Sequence, residues 1–132
     1  MEPLFLGLDE VLDIHQELIE TFGGSPGVRD LGLLQSALAM PQAGVAGSYF
    51  HGDILEMASA YLFHLVRNHP FVDGNKRTGI VAALQFLYLN EIEVTAAGAA
   101  LEDLVLAVAT GTADKGTIAS FLRKHTRKLR RS

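Results

Sequence analysis

The sequence predicts an all-α fold, a helical bundle of about six helices in a single domain spanning residues 1–132. Three observations carry that expectation. Residues 8–22 repeat apolar side chains at helical spacing (Leu8, Val11, Leu12, Leu18, Ile19, Phe22) with acids on the other face. Residues 54–66 and 80–89 are apolar on more than one face, the pattern of buried helices. Alternating strand patterns are thin throughout.

Taken in order, residues 8–22 form the first helix, with Asp9 and Glu10 in the turn where acids suit the helix dipole. The run Gly23-Gly24-Ser25-Pro26-Gly27 stops it. His15 on this helix has no second donor one turn away and reads as a surface or core-edge histidine. Asp30 is an N-cap for a short helix over residues 31–40, which Pro41 ends. Residues 42–50 are small and flexible, consistent with a hairpin-like flap or a plain loop. A buried helix follows over residues 52–68, and Pro70 disfavours helical geometry at His69. His64, one turn earlier, reads as structural. The next helix starts at Asp73-Gly74-Asn75 and runs to about Leu89, and residues 90–95 form a turn, briefly extended at most. Residues 99–110 make a helix closed by Gly111, and residues 117–128 make the last one.

Composition narrows the function classes. Apolar residues make up 48% and charged residues 20%, a globular profile. With no cysteine, thiol catalysis, zinc–thiolate sites and disulfides are excluded. The N-terminus lacks the basic and long apolar regions of a signal peptide, and no apolar run approaches the ~20 residues needed to cross a bilayer, so a cytoplasmic location is expected. The net charge of −4 is unevenly distributed: Arg123, Lys124, Arg127, Lys128, Arg130 and Arg131 leave five cations against fifteen acids in the rest of the chain. Lys76, Arg77 and nearby Arg67 within that acidic body point to a local anion site.

The stretch from His69 to Gly79, His-Pro-Phe-Val-Asp-Gly-Asn-Lys-Arg-Thr-Gly, inserts expensive polar groups between two of the most apolar segments of the chain. A helix beginning near Gly74 offers unpaired N–H groups and partial positive charge, and a glycine there lets an anion approach the backbone. Asn75 adds an amide, and Lys76 and Arg77 add cations, completing a phosphate cradle. Asp73 is placed to hold Mg²⁺, which one carboxylate, phosphate oxygens and water satisfy. His69 is placed to take a proton from an attacking hydroxyl, and Phe71 to anchor the loop in the core. Singly, each residue has an ordinary reading: N-cap, turn glycine, solvated cation, C-terminal dipole partner.

The pattern His69-x-Phe71-x-Asp73-Gly74-Asn75-Lys76-Arg77 resembles the signature of the Fic fold, and Asn-Lys-Arg-Thr at 75–78 resembles its death-on-curing (Doc) branch. Gly23–Gly27 with Asp30, and Ala109-Thr110-Gly111, extend the likeness from about residue 9 to 125. The resemblance implies a nucleotide-using enzyme in which His69 is the base, Asp73 binds Mg²⁺, Gly74 and Asn75 form the anion hole, and Arg77 pairs with phosphate. The AMP-transferring pattern has glycine where this chain has Lys76 and a second arginine where it has Ile80. Both departures argue against AMP transfer. In the Doc branch the resemblance implies transfer of the ATP γ-phosphate to a threonine of elongation factor Tu, halting translation, with Lys76 and Arg77 stabilising the transferring group and residues 44–49 aligning the target by edge pairing.

The resemblance also bears on regulation. Self-inhibiting Fic proteins carry a helix with Ser/Thr-x-x-x-Glu-Gly/Asn, and no glutamate in this chain precedes Gly or Asn. A Phd-like antitoxin whose tail folds onto the chain is therefore expected, with nucleic acid reached only through it. The basic tail over residues 123–132 reads first as a solvated helix end, then as an antitoxin contact or an RNA anchor. Two rival functions stand beside the kinase: an AMP transferase of the same fold, and a non-catalytic module that binds nucleotide or antitoxin.

Overall fold

The structure, a computed structural model, describes residues 2–129. Its helices are α1 (Leu8–Phe22), α2 (Leu31–Ala39), α3 (Ile54–Asn68), α4 (Asn75–Leu89), α5 (Gly98–Ala109) and α6 (Lys115–Lys124). Four short strands accompany them: β1 (Gly44–Val45), β2 (Ser48–Tyr49), β3 (Ile92–Val94) and β4 (Thr126–Lys128). The all-α expectation holds, with six helices around one core.

α3 is the central element, because it buries residues around most of its circumference: Met57, Ala58, Ser59, Ala60, Tyr61, Leu62, Leu65 and Val66 are all buried. α2, α4, α5 and α6 pack around it. α4 lies closest, and Gly79 makes that approach possible, since a Cβ there would sit 2.8 Å from Val66 Cγ2. Tyr61 is fully buried yet satisfied: its hydroxyl accepts the Leu6 N–H at 2.9 Å, and its ring lies 4.9 Å from that of Phe86.

Side-chain caps set the helix starts. Asp30 accepts the Leu33 N–H, as the sequence suggests, and Asp53 accepts that of Glu56. Asp114 accepts the Thr117 N–H, so α6 begins at Lys115, two residues before the expected start. The segment over residues 42–50 resolves into a hairpin, with Gly44 opposite Tyr49 and Val45 opposite Ser48.

The last helix departs from expectation. It ends at Lys124 rather than near Lys128, and the chain turns at His125 to pair β4 antiparallel with β3. The pairing is extended by the Thr95 N–H donating to the His125 carbonyl and the Leu129 N–H to the Glu91 carbonyl, and Arg127 pairs with Glu93. The partner strand lies some thirty residues upstream, so helical spacing in the tail carried no trace of it. Arg130 and Arg131 of the basic tail lie outside the described residues.

Candidate active site

The loop between α3 and α4 is built from its ends inward. Pro70 stops α3 at Asn68, and His69 adopts the left-handed conformation (φ 52°, ψ 53°). The carbonyls exposed by that stop are taken by Arg29, whose Nε donates to His69 at 2.7 Å and Nη2 to Asn68 at 3.0 Å. The Arg29 and Asp30 N–H groups both donate to the Pro70 carbonyl. Phe71 is fully buried and anchors the loop, as expected. α4 then starts from Gly74, whose φ of 78° suits a residue without Cβ.

Asp73 is exposed but tightly held. Its Oδ2 accepts the Ser25 N–H at 3.1 Å and its Oδ1 the Gly74 N–H at 2.9 Å. These two bonds, Ser25's first, hold the carboxyl below the usual carboxylate range, and His15 and His69 add to the effect. The Asp73 carbonyl accepts a hydrogen bond from His15 Nε2 at 2.9 Å.

His69, Asp73, Gly74, Asn75, Lys76 and Arg77 all line one cleft of about 910 Å³. The rest of its lining is mostly apolar, Ile80 and Leu84 of α4 with Leu101, Val105 and Leu106 of α5, and Glu102 stands among them. Arg67 also lines it, and the Arg77 guanidinium lies 4.3 Å over the ring of Phe22. The arrangement sets exposed cations and a helix N-terminus beside a carboxylate and an imidazole, at the end of an apolar groove. An anion seated on the N-terminus would have donors and charge on hand. Mg²⁺ fits the donor chemistry at Asp73: an exposed, ionised carboxylate at a helix N-terminus could supply one ligand and leave the rest to a bound anion and water. Among the described residues no cluster of three His, Cys, Asp or Glu could hold a metal alone.

One expected role changes. The Asn75 side chain was to face the anion, but it is buried and bonded at both ends to Phe71, so only its backbone N–H remains for that purpose. Three supports went unread in the sequence: Arg29, Ser25 and His15. Of the two placements expected for His15, surface or core edge, the structure shows the core one: it is 4% exposed and stacked on Phe71. His64, read from the sequence as structural, is half-buried, lies outside the cleft lining and is 3.2 Å from Lys115 Nζ. The β1–β2 hairpin contributes no residue to the cleft lining.

A family model described as the Fic/DOC family matches residues 5–87, a span that includes the whole loop. The chain belongs to the Fic/DOC family. Two relatives support the assignment. "Toxin Doc" from Mycolicibacterium smegmatis (strain ATCC 700084 / mc(2)155) is 45% identical over 103 residues, covering 76% of this chain and 79% of that protein. "Protein kinase doc" from Escherichia phage P1 is 34% identical over 116 residues, 88% of this chain and 90% of that one. The Fic/DOC match includes the loop, all of α3 and α4 as far as Leu87. No helix among the described residues is long and apolar enough to cross a membrane.

Proposed function

We propose that the chain is a Doc-type toxin of a toxin–antitoxin system, a protein kinase that moves the γ-phosphate of ATP to a threonine or serine hydroxyl of a translation factor resembling elongation factor Tu. The observation that carries this reading is the convergence of His69, Asp73, Lys76 and Arg77 on one cleft at the N-terminus of α4. Similarity along 88% of the chain to a protein named a kinase favours phosphoryl transfer over its rivals. So does the sequence of α4: Lys76 stands where the AMP-transferring pattern has glycine, and Ile80 where it has arginine.

In this mechanism the substrate hydroxyl oxygen attacks the γ-phosphorus, the bond from that phosphorus to the β–γ bridging oxygen breaks, and ADP leaves. His69 accepts the hydroxyl proton, and its exposed ring at the end of α3 leaves room for a protein substrate. Asp73 would hold Mg²⁺, which supplies charge neutralisation on the phosphates when bound. The Asn75 N–H, Lys76 and Arg77 stabilise charge on the transferring group, while the Gly74 N–H holds the Asp73 carboxylate in place. The apolar walls Ile80, Leu84 and Val105 exclude water beyond the phosphates. A Phd-like antitoxin is the proposed partner in trans, the chain carrying no internal Ser/Thr-x-x-x-Glu-Gly/Asn brake.

Intact-mass measurement of elongation factor Tu after incubation with the protein, ATP and Mg²⁺ tests the reading. A gain of one phosphate, lost in His69→Ala, supports it. A gain of one AMP makes the chain an AMP transferase. No gain on any translation factor, with nucleotide still bound, leaves a non-catalytic module.

A further inference from the structure

None of the α1 residues lines the cleft, yet α1 reaches the loop from beneath. We infer that His15 is a positioning residue that sets which edge of the Asp73–Gly74 peptide turns away from α1, and so whether its N–H holds the Asp73 carboxylate or its carbonyl takes that place beside the anion site. The inference rests on the anion-binding reading of this site.

A carbonyl oxygen only accepts, so the 2.9 Å contact between His15 Nε2 and the Asp73 carbonyl places the imidazole proton on Nε2. The ring is held in place. It stacks on Phe71 with centroids 3.8 Å and planes 7° apart, and both side chains are buried. A trans peptide is planar, with its C=O and N–H on opposite edges. Holding the Asp73 carbonyl toward α1 therefore turns the Gly74 N–H away from α1. There it donates to Asp73 Oδ1 at 2.9 Å, and both residues line the cleft.

Gly74 does not make this choice by itself. A glycine accepts either orientation of the peptide before it, with φ positive or negative at similar cost. Its φ of 78° is one of those options, and the nearest atoms to a Cβ position there belong to the Ile19 and His15 side chains, at 3.4 and 3.7 Å. The residue that lets an anion approach thus leaves the peptide free to flip, and a flipped peptide would aim a carbonyl dipole at the anion. The His15 donor removes that freedom.

Two variants separate the donor from the ring. His15→Phe keeps an aromatic plane against Phe71 and removes the donor; His15→Gln restores a donor and removes the stack. The primary readout is the Gly74 amide residual dipolar coupling in weakly aligned, ligand-free protein, referenced to amides along α4. It is expected to shift in His15→Phe and to stay at the wild-type value in His15→Gln. ATP affinity by calorimetry without metal is expected to fall about tenfold in His15→Phe and to recover in His15→Gln, the size of one lost hydrogen bond. An unchanged Gly74 coupling in a folded His15→Phe overturns the inference. Should that variant not fold, the wild-type tautomer decides: a neutral His15 ring protonated at Nδ1 overturns the inference, and one protonated at Nε2 supports it. Wild-type protein that binds no ATP, with the couplings as expected, removes the nucleotide reading and leaves the peptide orientation assigned to His15.

Discussion

The Asn75 side chain is bonded at both ends to the backbone of Phe71: Oδ1 accepts the Phe71 N–H at 2.9 Å and Nδ2 donates to the Phe71 carbonyl at 3.0 Å. This pair closes the loop on itself and ties the start of α4 to the loop's buried anchor. Both Phe71 groups are buried, and Asn75→Ala strips each of its partner. That substitution is expected to cost about 2–6 kcal/mol, the sum of two unpaired buried groups. Thermal denaturation checks it, and an unchanged Tm would show that the pair contributes nothing to stability.

Gly24 lies against the carboxylate that would hold the metal. A Cβ at Gly24 would sit 2.7 Å from Asp73 Oδ2 and 3.1 Å from Ile19 Cδ1, on a backbone with φ of 116°. Gly24→Ala is expected to displace Asp73 and weaken Mg²⁺-dependent nucleotide binding, besides a backbone strain of about 1–3 kcal/mol. Gly23→Ala is the control, because its φ is also positive but its Cβ would meet nothing within 4 Å. Equal loss of nucleotide affinity in both variants would count against the Asp73 contact.

Arg29 holds the stop of α3 through two carbonyls, those of Asn68 and His69. Lysine presents a single ammonium and cannot reproduce the fork. Arg29→Lys is expected to lower stability by only about 1 kcal/mol, since the side chain is exposed. The rate of ATP-dependent modification should fall further than that, because the backbone of His69 loses its support. Rate and Tm measured together check this, and a drop in Tm with the rate intact would disprove it.

The protein should lose stability on mild acidification because of His64. Burial, and then the Lys115 ammonium and His51, push its imidazole down to about 4. An unfolded histidine titrates near 6.5. Between those values the unfolded chain binds the proton that the folded chain refuses, so stability is full above pH about 6.5, falls as pH drops toward 4 and levels off below it. For a ring only half-buried the loss is expected to be on the order of 1 kcal/mol after solvent screening. Lys115→Met should shrink the slope without abolishing it, since burial is the larger cause. Urea denaturation at pH 7, 5.5 and 4.5 checks both.

What could be read in the chain alone was whatever lies close along it. Apolar spacing defined the six helices, Pro70 marked the end of α3, Asp30 announced a cap, and His69 to Arg77 stand together because nine consecutive residues cannot be far apart. Helical periodicity and steric stops are local physics, carried by neighbours three or four residues away. What tertiary structure decided was how those residues are held. His15 reaches a carbonyl 58 residues on, Ser25 a carboxylate 48 on and Arg29 a carbonyl 40 on, each through side chain–backbone or backbone–side chain bonds. The β3–β4 pairing that shortened the last helix is of the same kind. Such contacts leave no period in the sequence, because their geometry exists only once the helices have packed. The sequence alone therefore determined which residues gather in the loop, while the packing of α1 and the glycine loop after it decided the orientation in which the loop presents them.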